Sequence, residues 1–178
     1  MAFTHPIAAV VLAAPFYRRE LPARVWLWGA LLTALPDLDF IGYRLGVPYA
    51  HLWGHRGLTH SLVFAVAVAA LSALGMRRDW RFGRLWLFFF LCTASHGLLD
   101  GMTDGGLGVA YFSPFDDGRY FLPFRPIPVA PLNPARIFSE WGWSVLKAEL
   151  LWLWVPALTA TVAILAARWP AVRSGSGR

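Results

Sequence analysis

The chain has 178 residues, of which 57% are apolar and 16% aromatic, with a mean hydropathy of +0.50. That is too oily for an ordinary soluble domain, and it makes a lipid bilayer the expected solvent. The net charge of +6 comes almost wholly from arginines clustered between apolar runs rather than along one helix face, a pattern of membrane topology and not of nucleic-acid binding.

Five apolar stretches follow one another, at 6–16, 25–35, 62–74, 85–99 and 150–167, and each is predicted to be a helix. No positive residue precedes the first, and Arg18 and Arg19 come after it, so it does not read as a cleaved signal peptide. The first four are shorter than the ~20 residues that cross a hydrocarbon core, so crossing requires extension into polar flanks or a thinned bilayer. Between the fourth and fifth, 101–149 is rich in Gly, Pro and aromatics and is predicted to be irregular, because repeated prolines forbid a continuous helix. A short helix is predicted to resume at Pro134 or Ala135, with Asn133 as its N-cap. Asp116, Asp117 and Gly118 read as a turn. The expectation is one all-α, polytopic membrane domain over 1–170 with about five helices and a flexible tail over 171–178. Cys92 lies inside an apolar run, and as the single cysteine it allows no internal disulfide and no cysteine-based metal motif.

If all five stretches cross, Arg18, Arg19 and Arg24, then Arg77, Arg78, Arg81 and Arg84, then Arg168 and Arg173 fall on one side. Every histidine and all aspartates but Asp79 fall on the other, together with Arg44, Arg56, Arg119, Arg125, Arg136 and Lys147. Because arginine and lysine concentrate in cytoplasmic loops, the histidine and aspartate side is predicted to be extracytoplasmic.

Four short runs on that side carry chemistry: Thr4-His5-Pro6, Pro36-Asp37-Leu38-Asp39, the run from His55 through Arg56, Thr59 and His60 to Ser61, and the run from Ser95 and His96 to Asp100. His96 and Asp100 are four residues apart, which puts both on one helix face. Asp37 and Asp39 cannot share a helix face, so a turn after Pro36 is needed to aim both inward. His55 and His60 suit a loop leading into the third stretch, with Thr59 as a candidate N-cap. His51 reads as an ordinary loop residue.

Imidazole nitrogen and carboxylate oxygen together suit a divalent metal such as Zn²⁺, Mn²⁺ or Fe²⁺. Counting His5, seven candidate ligands gather at one face, enough for one ion or two, and a two-ion site would serve phosphoester hydrolysis by metal-activated water. Arg56 and Arg119 could neutralise phosphate oxygens. Asp39 or Asp37 could act as general base if it does not ligate. Bland readings exist for each piece: a surface His5, aspartates capping a helix end, His96 and Asp100 as an internal pair.

These runs resemble those of the YdjM-like, inner-membrane metal-dependent hydrolases, on His5, Leu-Pro-Asp-Leu-Asp at 35–39, His-Arg-Gly-Leu-Thr-His-Ser-Leu at 55–62, the Ser95–Asp100 run followed by Thr103, and the aromatic, proline-rich segment 119–126. The resemblance implies metal positions at His5, Asp37, Asp39, His55, His60, His96 and Asp100. Where many relatives carry a histidine after Pro-Asp-x-Asp, this chain has Phe40. More distantly, the arrangement looks like that of zinc-dependent phospholipase C, which makes a phosphoester on a membrane lipid the first substrate to consider, met at headgroup level by lateral diffusion. Two other classes stay open, a transporter using the same groups and a non-catalytic module whose metal holds helix ends together.

Overall fold

The computed structural model describes residue 11 and residues 22–78, 80–131 and 133–174. Apart from residue 11, the first predicted stretch, with the flanking His5, Arg18 and Arg19, therefore lies outside the described residues. The other four stretches are helical: α1 (Ala23–Ala34), α3 (Leu62–Gly75), α4 (Phe82–Gly101), and the pair α5 (Glu140–Glu149) and α6 (Val155–Ser174), joined through a π-helical turn at Leu150–Trp154. The short α2 (Asp39–Arg44) follows α1 through a 3-10 turn at Leu35–Leu38. Among the described residues there is no strand, only two isolated bridges, Thr103 with Ile127 and Val109 with Tyr120. The last helix reaches Ser174, and 175–178 of the expected tail lie outside the described residues.

Polar flanks supply the length that the apolar stretches lack. Ala23–Arg44 (22 residues), Phe82–Gly101 (20 residues) and Glu140–Ile164 (25 residues) are each long and apolar enough to cross a membrane. α3 has 14 residues, about 21 Å at 1.5 Å per residue, against a core of about 30 Å. Large apolar side chains face outward along these rods, among them Leu27, Leu31, Leu71, Leu151 and Val162. That orientation suits a hydrocarbon solvent and would be costly in water.

The helices close on one another through small residues. The buried positions of α3 are Ala65, Ala69 and Ala73, a four-residue repeat that lets its backbone approach α4. On α1, a Cβ added to Gly29 would stand 2.7 Å from the Phe88 ring of α4 and 3.3 Å from the Cys92 sulfur, so hydrogen alone fits there. The core formed this way holds Val25, Leu32, Leu85, Phe88, Phe89 and Cys92. α4 carries one continuous buried stripe at alternating three- and one-residue steps, Leu85, Phe88, Phe89, Cys92, Thr93, His96, Gly97, Asp100 and Gly101. The stripe is apolar in its first half and polar in its second, so one helix face builds first the core and then the site.

Two capping assignments are corrected. Ser61, not Thr59, caps α3, its oxygen accepting from the Phe64 N–H at 3.1 Å, while the Thr59 hydroxyl donates to Asp39 instead. Asn133 caps only a 3-10 turn at Pro134–Arg136. The α-helix starts at Glu140, with the Ser139 oxygen accepting from Gly142 N–H.

Candidate metal centre

His60 is the hub. The 3-10 turn around Pro36 is the change of pitch that lets Asp37 and Asp39 converge, and they reach the same imidazole at different nitrogens. Asp39 Oδ2 lies 3.1 Å from His60 Nδ1, and Asp37 Oδ1 lies 3.9 Å from His60 Nε2. From α4, Asp100 Oδ2 stands 3.3 Å from His60 Nε2, and His96 Nε2 stands 3.3 Å from Asp37 Oδ1 and 3.7 Å from Asp100 Oδ2. One atom from each of Asp37, His60, His96 and Asp100 thus lies within 4.8 Å of the others, a group that could hold a metal ion. Asp39, His55 and His60 form a second such group.

The hydrogen bonds around these groups fix which nitrogens face inward. His96 Nδ1 is 2.7 Å from the Thr33 carbonyl, which can only accept, so Nδ1 carries the proton and Nε2 turns toward the carboxylates. His60 Nε2 is sealed from solvent and makes no hydrogen bond, its approach to Asp100 being off-axis. A carbonyl holding the far nitrogen while the near one points into a nest of carboxylates is the usual setting of a metal-ligating histidine. Two imidazoles and two carboxylates therefore fit a divalent ion of the Zn²⁺, Mn²⁺ or Fe²⁺ class.

Asp39 is engaged differently. Its Oδ1 accepts from His55 Nδ1 at 2.7 Å, and its Oδ2 accepts from the Arg56 N–H at 3.0 Å and from the Thr59 hydroxyl at 2.7 Å. The backbone turn that presents these donors places Arg56 in the left-handed region at φ 62°, an uncommon conformation for a residue with a Cβ. The Arg56 guanidinium is buried, with Nε 3.2 Å from Asp100 Oδ2 and an Nη donating to the Gly105 carbonyl. Arg119, the other candidate for phosphate, instead donates to the carbonyls of His55, Tyr49 and His51 and holds the 49–55 loop. His51 is a loop residue whose Nδ1 accepts from Trp53 N–H, and Asp116 accepts from Gly118 N–H to make its turn. His5 lies outside the described residues.

Burial alone would lower the His60 pKa, but the Asp100 and Asp39 carboxylates beside it overcome that and raise it from 6.5 to about 9. The ion-free protein therefore carries an imidazolium here at neutral pH. Its stabilising effect is full below about 6.5 and is lost as pH rises through about 9. The thermal midpoint of chelator-treated protein is expected to fall as pH is raised from neutral past about 9, and His60→Gln is expected to flatten that slope. An equal slope in the variant would assign it to other groups.

Three further features shape the site. Tyr111 donates from its hydroxyl to the Gly97 carbonyl at 2.9 Å, and burial pushes its phenol up to about 12. The Thr103 hydroxyl donates to the Asp100 carbonyl at 2.7 Å, closing the end of α4. A cavity of about 460 Å³ opens above Asp37, His55, Arg56 and Asp100, walled by α5.

A family model described as YdjM inner membrane protein matches residues 1–171, which takes in every run described above. The chain belongs to the YdjM inner membrane protein family. Inner membrane protein YbcI of Escherichia coli (strain K12) is 39% identical over 157 residues, covering 87% of this chain and 91% of that protein. No solved structure matches, so the likeness to phospholipase C rests on sequence runs alone. Membership of the YdjM family and three membrane-length helices agree in making this an integral inner membrane protein with a His/Asp group that could hold a metal.

Proposed function

We propose that this YdjM-family chain is a membrane-bound, metal-dependent hydrolase of phosphoesters, membrane lipids included, with Asp37, His60, His96 and Asp100 holding one divalent ion, Zn²⁺ first among the choices. The observation that carries the reading is the set of four converging ligand atoms, two of whose residues, Asp37 and Asp100, reach the floor of an open cavity beside a buried arginine. A divalent ion there would supply Lewis acidity and lower the pKa of water toward neutrality. The residues do the rest. Arg56 lines the cavity and offers a planar cation to phosphate oxygens. Asp37, one-third exposed where the other three are sealed, is the ligand open to the cavity, and its carboxylate oxygen that does not bind the ion would be the group to accept a proton from cavity water. Asp39 has both oxygens occupied by donors and is 2% exposed, which favours a role in orienting His55 and His60 over ligation or proton transfer. One ion is favoured over two because His60 Nδ1 is already engaged, hydrogen-bonded with the Thr59 hydroxyl oxygen at 3.1 Å and facing Asp39 Oδ2, and is not open to a second metal.

The site lies where α1 and α4 end and α3 begins, opposite the arginine-bearing connection between α3 and α4, which supports an extracytoplasmic site. A second reading, a structural ion, is favoured by the count itself, since four protein ligands close a tetrahedral Zn²⁺ shell. Elemental analysis of folded, detergent-purified protein followed by a phosphoester screen separates them. About one equivalent of metal with turnover that Arg56→Ala abolishes supports the hydrolase. Metal without turnover on any phosphoester supports the structural ion, and no metal sinks both.

A further inference from the structure

The cavity has two chemistries. Its floor is Asp37, His55, Arg56 and Asp100, and its walls are mostly apolar: Val129, Ala130 and Pro131 on one side, Ile137, Trp141, Val145 and Leu146 on the other, with the buried Glu149 at the far end of α5 as the polar exception. The second wall belongs to α5, the start of the membrane-length rod Glu140–Ile164. Phe138, just before α5, and Trp143, within it, are exposed at 83% and 54%, as aromatics at a membrane–water interface are. A floor of charge at the interface and an apolar wall continuous with a span describe an amphiphile in negative. At about 460 Å³ the space sits low in the range of small-molecule sites. It therefore suits a headgroup and the first part of one chain, with the remainder of the lipid left in the bilayer. The wall also adjoins the π-helical turn at Leu150–Trp154, and such turns recur beside functional sites.

We infer that this cavity takes a membrane phosphoester lipid, its phosphate over Arg56 and one acyl chain along the α5 wall of Trp141, Val145 and Leu146. The inference rests on the hydrolase reading for what happens to the headgroup, and it names the substrate class and the residues that select it. A soluble phosphoester can reach the floor but leaves the wall wet, so α5 discriminates lipid from free phosphate ester.

The probe is a phosphatidylglycerol with a diazirine on one acyl chain, incorporated in nanodiscs with the full-length protein, both metal-loaded and chelator-treated. Illumination is expected to label the 137–146 peptide well above the 155–162 surface, which meets bulk lipid only. Leu146→Trp fills the cavity from α5 and Ala130→Phe fills it from the facing loop. Each is expected to cut the 137–146 label at least about tenfold, the span of one or two lost apolar contacts, while leaving the 155–162 label unchanged. Equal labelling of the two peptides in wild type, or a cavity label that survives in whichever variant keeps the wild-type thermal midpoint, overturns the inference. Because labelling needs no turnover, a protein that labels as expected yet cleaves neither lipid nor soluble phosphoester would sink the hydrolase reading alone.

Discussion

Replacing His60 with alanine is expected to leave the folded protein without its metal ion and without hydrolytic activity. The imidazole stands between Asp37, Asp39 and Asp100, with nitrogens 3.9, 3.1 and 3.3 Å from their oxygens. Alanine removes a ligand and also leaves three carboxylates facing one another, and breaking a buried charge pair costs on the order of 3–5 kcal/mol. His60→Gln keeps the volume and a neutral polar tip, so it separates lost ligation from lost fold. Asp39→Asn is the companion measurement. If Asp39 orients His60 from outside the ion's shell, the ion should remain and its affinity should fall by about 10- to 100-fold. Stoichiometry by elemental analysis and affinity by competition with a metallochromic chelator read both. Complete metal loss in Asp39→Asn would place that carboxylate in the shell, and full metal retention in His60→Gln would remove His60 from it.

The second large effect is expected far from the ion. A methyl on Gly29 would sit 2.7 Å from two ring carbons of Phe88, a side chain with no exposure and no room to turn. Gly29→Ala should therefore cost about 1–3 kcal/mol, the usual toll of overpacking. Because α1 leads into the turn that carries Asp37 and Asp39, pushing it off α4 should also weaken metal binding. Phe88→Leu, which shortens the obstructing side chain, should restore part of both losses in the double variant. Thermal midpoint and metal affinity for the two single variants and the double form a cycle. Purely additive losses would show that Gly29 and Phe88 do not meet.

How much of this was legible in the sequence depends on the range of the interaction. Four described helices follow from apolar runs, and the His96 and Asp100 pairing follows from four-residue spacing, because both are set within one element. The need for a turn at Pro36 was equally local, and the 3-10 geometry at Leu35–Leu38 supplies it. Thr59 misled because Ser and Thr at 59 and 61 offer equal capping chemistry; the choice was made by Asp39, 20 residues away, which takes the Thr59 hydroxyl. The α5 wall and Tyr111 carry no motif at all. Tyr111 matters through a carbonyl 14 residues upstream, and Val145 through a cavity whose floor lies more than 40 residues away in sequence. Arg56 and Arg119 looked interchangeable as phosphate partners, and only the carbonyls that claim Arg119 separate them.

The buried stripe of α4 also limits how this chain can change in length. Leu85 to Cys92 seats the helix in the core, and His96 to Asp100 is aimed by the same register. One residue deleted between Cys92 and His96 would turn the second half by about 100° while the first half stayed in place, carrying both ligands away from His60. Indels are therefore affordable in the 76–81 connection and in the loops beyond Gly101, where the cavity wall can be reshaped. Between Cys92 and His96 the interval is fixed, so diversification within the family should proceed by loop length and wall substitution around a helix of constant count.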